Sequence, residues 1–114
     1  MMEDKTIDVG NQFYPRLTNR NENFGDGQHT AVDFRNQFLK DYDNPEIWKS
    51  SDIKTITFDF ASVTSIIPSF ANEAFAYFRK YADAKTIKKY FKFINISDVK
   101  QDLIDLEFMK GYRA

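Results

Sequence analysis

Apolar residues along the chain follow two rhythms, and the changes between them lay out the elements. Lys5 to Gly10 alternates, with Ile7 and Val9 on one face, which predicts a short strand. From Thr30 the period lengthens: Ala31, Phe34, Phe38 and Tyr42 recur at helical spacing, and Leu39 widens the stripe. Thr30 and Asp33 supply a cap and an acidic first turn, and Asn44 before Pro45 ends the helix. Ile53 to Phe60 predicts a second strand with Ile56, Phe58 and Phe60 on one face. A helix follows from about Phe70, its stripe made by Ala71, Ala74, Phe75, Phe78 and Tyr81 or Ala82. Asn72, Glu73, Arg79 and Lys80 are expected to face water. Tyr90 to Ile96 is apolar on both faces, as a buried central strand would be. Ser97 then caps a last helix with Val99, Leu103, Leu106 and Met109 on one face, stopped at Gly111.

Three stretches carry neither rhythm. Asn11 to His29 reads as a long loop, Glu46 to Asp52 as a connector with Trp48 folded back on the core edge, and Asp83 to Lys89 as a polar connector. Strands alternating with helices predict an α/β domain: a small central mixed β-sheet with helices packed against it. Residues 1–114 form one domain, with an edge strand and long loop over 1–29 and the core over 30–110.

Composition narrows the function more than the fold. The net charge of −1 gives no electrostatic reason to expect nucleic acid or an anionic membrane as partner. The absence of cysteine excludes thiol catalysis, disulfides and thiolate metal sites. The start lacks the basic and apolar regions of a signal peptide, and no apolar run approaches the roughly 18 residues of a membrane span. The expectation is a soluble, cytoplasmic domain.

Candidate chemistry is sparse. His29, the single histidine, has no partners at metal or triad spacing and reads as a solvated loop residue. The loop Gly25 to Thr30 feeds a helix and is a candidate cradle for a nucleotide or small ligand. It has no Walker lysine, and Asp26 would repel an anion. Lys85, Lys88, Lys89 and Lys92 interleave with aromatics, but those rings fall in a core strand. Asp59 and Glu73 flank one strand–helix junction and would suit acid–base work only as a pair; hydrogen bonding by Asp59 to loop amides is the plainer reading. No catalytic residue, metal site or cofactor is implied. Ser69 follows Pro68 and is expected at the helix N-cap, where a hydroxyl is also placed to carry phosphate.

The stretch ITFDFASVTSIIPSFANEAFAYF, residues 56–78, resembles the central motif of STAS-like domains, with Asp59, Val63, Ser69, Phe70, Glu73 and Phe75 as its signature. The helix from Ala31 and the strand FKFINIS before the last helix fit the same pattern. The wider group includes bacterial anti-sigma factor antagonists, in which a serine at this helix start is phosphorylated by a partner kinase to switch protein binding. The resemblance implies a non-enzymatic interaction module in bacterial signalling. Ser69 would be its phosphoacceptor, Phe70, Asn72, Glu73 and Asp59 would surround the docking site, and a histidine-kinase-like ATPase of the anti-sigma type would be its partner. Ile67, Pro68 and Phe70 depart from the antagonists, which carry an acidic residue, a serine and a glycine there.

Overall fold

A computed structural model describes residues 4–21, 29–50 and 52–113. Three strands, β1 (Lys5–Asp8), β3 (Ile56–Asp59) and β5 (Phe91–Ile94), pair in the order β1-β3-β5. Both pairings are parallel, with Ile7, Phe58 and Phe93 level across the sheet. A second, two-stranded parallel sheet joins β2 (Arg16–Leu17) to β4 (Ser65–Ile66). Among the described residues, five helices accompany the strands: α1 (Val9–Gln12), α2 (Ala31–Phe38), α3 (Pro68–Ala74), α4 (Ala84–Tyr90) and α5 (Asp98–Lys110). Short 3₁₀ turns at Lys40–Tyr42, Ile47–Lys49 and Ala76–Lys80 extend or join them. This is the expected α/β class.

Alternation along each strand sends side chains to two faces. Ile56, Phe58, Phe91 and Phe93 share one face. Phe34 of α2 and Phe75, at the C-cap of α3, pack on Phe58 with ring centroids 5.9 and 5.1 Å away and on each other at 5.6 Å, and Phe108 of α5 meets Phe93 at 6.5 Å. Thr6, Thr57 and Lys92 lie on the opposite face, where none of them is buried. Phe34, Phe58, Phe70, Phe75, Phe78 and Phe91 are all effectively solvent-free, so aromatic volume fills the core.

Several expectations are corrected. The middle strand is β3, while β5 lies at the sheet edge and leaves Ile94 exposed. Residues 84–90 form α4, whose first turn is capped by the Asp83 carboxylate accepting from Thr86 N–H. The stretch from Asn11 contains the end of α1 and strand β2, and Val9 and Leu17 are fully buried, so the N-terminal part belongs to the core. On α5 the stripe is inverted: Ile104, Glu107 and Phe108 face inward, whereas Val99, Leu106 and Met109 are exposed. Trp48 does fold onto the core, donating its indole N–H to Tyr42 O at 2.8 Å.

Candidate functional site

The junction between β3 and α3 is held by backbone. Thr64 and Ser65 donate to Pro15 O, Ile67 donates to Leu17 O at 3.1 Å, and the β2–β4 ladder lies between. Ile67, extended, occupies the N-cap, and Pro68 takes the first helical position, where its missing N–H costs nothing. Ser69 is therefore the second helical residue rather than the cap. Phe70 and Ala71 N–H both donate to Ile67 O, at 3.1 and 3.2 Å. Unlike Asp8, Thr30, Asp83 and Ser97 at the other helices, no side chain caps α3. Among the described residues nothing accepts from or donates to the half-buried Ser69 hydroxyl.

The other signature residues turn away from solvent. The Phe70 ring is fully buried, 5.9 Å from Phe34 and 6.4 Å from Phe13. It is part of the core and does not lie over Ser69 at the surface. Asn72 and Glu73 were expected to face water and are instead 0% and 5% exposed. Burial of a carboxylate demands partners, and Glu73 has three. Arg35 Nη2 donates to it at 2.6 Å, Arg20 Nε at 3.2 Å and the Tyr112 hydroxyl at 3.1 Å. Arg35 Nε also donates to Glu73 O, and its guanidinium lies 3.6 Å from the centre of the Tyr77 ring. Burial, then the Glu73 charge and hydrogen bond, push the Tyr112 phenol above its ordinary pKa.

Asn72 is the second hub. Its Nδ2 donates to Glu107 Oε1 at 3.2 Å and to Gly111 O at 2.9 Å, and its Oδ1 accepts from Arg113 N–H at 3.0 Å. Glu107, on α5, accepts the Arg113 guanidinium at 2.7 Å. Sequence reading missed this network, although a signal existed. Arg35 sits four residues from both Ala31 and Leu39, on the apolar stripe of its own helix, and Glu73 sits three residues after Phe70 on another. Two opposite charges on two buried faces announce each other.

Asp59 is not brought to Glu73. Its side chain leaves β3 on the face opposite Phe58, where it accepts Ala61 N–H at 2.9 Å and Asn95 Nδ2 at 3.1 Å. That is the amide-binding role expected of it, and the two carboxylates share no partner. The Gly25 to Gln28 part of the candidate ligand loop lies outside the described residues. His29 stacks on Tyr14 at 4.0 Å. The first-turn amides of α2 are committed: Ala31 N–H to Asn19 O, Val32 N–H to Arg20 O and Asp33 N–H to the Thr30 hydroxyl. They leave no anion cradle at that helix start. In the basic stretch, Lys88 pairs with Asp105 at 2.9 Å and Phe91 is buried, so no ring-and-lysine platform forms. Depressions of about 750 Å³ beside Asp43 and about 560 Å³ beside His29 are lined by neither Ser69 nor Asp59. Among the described residues no three acidic or histidine side chains could hold a metal ion, and no helix is long and apolar enough to cross a membrane.

Residues 30–101 match the family described as STAS-like domain of unknown function (DUF4325). The chain belongs to that family. No curated protein and no solved structure matches it.

Proposed function

We propose, from this membership of the STAS-like family, that the domain is a non-enzymatic docking module in bacterial signalling, working in the cytoplasm. Its switch is the Ser69 hydroxyl at the start of α3, phosphorylated by a histidine-kinase-like ATPase of the anti-sigma type. One observation carries the reading: Ser69 is in the first turn of a helix yet makes no hydrogen bond through its hydroxyl among the described residues. Thr30 and Ser97, the comparable hydroxyls, are both consumed as caps. A hydroxyl that the fold does not use is free to be modified, and a dianion near a helix N-terminus is electrostatically favoured. The burial of Phe70 supports the same reading, because its ring does not compete with a kinase for the serine.

The test is incubation with ATP and a purified kinase encoded beside this protein's gene, with phosphate mapped by mass spectrometry. Phosphate on Ser69, and loss or gain of partner binding in Ser69→Asp, are the expected results. An unmodified Ser69 together with unchanged binding by Ser69→Asp would end the switch proposal.

A further inference from the structure

Gly111, Tyr112 and Arg113 do not trail away from α5. They lie along α3, over a floor of buried polar groups, and each group in that floor reads part of an extended peptide. The Asn72 carboxamide, itself fully buried, donates to Gly111 O and accepts from Arg113 N–H, so one side chain satisfies a carbonyl and an amide two residues apart. Glu107, with a side chain 2% exposed, takes the Arg113 guanidinium. Glu73 takes the Tyr112 hydroxyl, and the Tyr112 ring sits edge-on to Tyr77 at 5.0 Å. Arg20 closes the far side, donating to Arg113 O and lying 5.9 Å over the Tyr112 ring.

A covering segment could be fastened by apolar contacts alone, without the desolvation cost of two carboxylates and a carboxamide. A floor that matches a carbonyl, an amide, a phenol and a guanidinium is a selective one. Its present occupant keeps about half of the Arg113 side chain in solvent, at 52% exposure, while its backbone and the Tyr112 hydroxyl are hydrogen-bonded. Ser69 stands three and four residues before Asn72 and Glu73, on the same stripe of α3.

We propose that the groove between α3 and α5 is a peptide-docking site for a partner's extended segment in which an aromatic residue is followed by arginine. Residues 111–113 are the chain's own occupant of the site and are displaced on docking. The proposal rests on the reading of the domain as a docking module and names the chemistry of its partner.

The test uses the full chain carrying Tyr112→Ala and Arg113→Ala. The native segment, being tethered, competes at an effective concentration of about a millimolar and must first be weakened. The probe is a synthetic peptide of residues 110–114, Lys-Gly-Tyr-Arg-Ala, beside a control in which its arginine is replaced by glutamate. Saturable binding is expected, weakened about tenfold or more in the control peptide by repulsion from Glu107, and abolished when Asn72→Ala is added to the protein. A folded variant that does not saturate at millimolar peptide, or that binds equally well with Asn72→Ala, would overturn the proposal. So would a wild-type dimer lost in Arg113→Glu, because the occupant would then be a second copy.

Hydrogen exchange in the unmodified chain gives a second measurement that does not depend on any variant folding. The Arg113 amide is expected to exchange by local opening, well ahead of Phe58 in β3 and Phe108 in α5. Exchange of Arg113 only through global unfolding would also overturn it. Phosphate on Ser69 without peptide binding sinks the groove alone; peptide binding without phosphate sinks the switch alone.

Discussion

The Glu73 carboxylate and the Arg35 guanidinium meet at 2.6 Å with side chains only 7% and 10% exposed, joining α3 to α2 through a charge pair inside the core. Such a pair adds little net stability against well-packed apolar replacements, but breaking it is costly because the buried Glu73 carboxylate loses its shortest partner and keeps only Arg20 and the Tyr112 hydroxyl. Arg35→Met should therefore destabilise the domain by about 1–3 kcal/mol in urea unfolding. Adding Glu73→Leu to it should restore part of that loss. A single variant within experimental error of wild type would show that Arg35 and Glu73 are not paired in solution.

The free hydroxyl of Ser69 makes a contrasting prediction. Ser69→Ala should change stability by no more than about 0.5 kcal/mol, the usual range for a side chain without a structural partner. Thr30→Ala and Ser97→Ala should each cost about 1 kcal/mol, because each leaves a first-turn amide unsatisfied. Equal losses at all three sites would place Ser69 in a capping role and remove the observation on which the switch proposal stands.

Much of the architecture was legible because it depends on local period. The Ile56 to Phe60 alternation, the Ala31–Phe34–Phe38 stripe and the Thr30 and Ser97 caps each state their element within a few residues. What was illegible depends on partners distant in the chain. Residues 90–96 are apolar enough for a middle strand, yet only the pairing with Ile56–Asp59 decides that β5 lies at the edge. On α5 two apolar stripes compete, and the sequence favoured the longer one. The face that packs inward is that of Ile104 and Phe108, and the same face brings Glu107 to Asn72. The site divided in the same way: Ser69 could be placed at a helix start from Pro68 alone, but the burial of Asn72 and Glu73 needed Arg20, Arg35 and Arg113 from three other segments.

The inverted stripe on α5 is open to a direct comparison. Phe108→Ala removes a ring that is 1% exposed and should cost about 3–5 kcal/mol. Val99→Ala, at a position 78% exposed, should be near neutral, within about 0.5 kcal/mol. The reverse ranking would mean that α5 packs by its Val99–Met109 face.

Gly10 fixes how α1 meets the loop that leads to Ser69. It is buried so close to the Ser62 backbone that an added Cβ would overlap the Ser62 carbonyl, and Asn11 Nδ2 donates to the Ser62 hydroxyl beside it at 3.2 Å. Gly10→Ala must push the Ser62 loop outward, at about 1–3 kcal/mol. Backbone chemical shifts should move from Ser62 to Ser69 while those of α5 stay in place. An unperturbed loop would show that α1 yields instead.

The tyrosines give the pH dependence a definite sign. Tyr42 donates its hydroxyl to Lys54 O at 2.5 Å, and burial, helped by the charges of Asp4 and Asp41, pushes its pKa up to about 12. Tyr81 is raised by burial and by its bond to Asp43, and Tyr112 by burial and by Glu73. In the unfolded chain a tyrosine loses its proton near pH ~10. Below that pH both states are protonated and the stability is complete. Above it the unfolded state sheds protons that the folded state keeps, so stability must fall as pH rises from about 10 toward 12. Urea unfolding across that range should show the decline. Tyr42→Phe should lower stability at neutral pH by about 1 kcal/mol, the value of the lost hydrogen bond, yet make the alkaline decline shallower. Were the decline equally steep in Tyr42→Phe, Tyr42 would be titrating as it does in the unfolded chain, and the buried bond to Lys54 would not persist in solution.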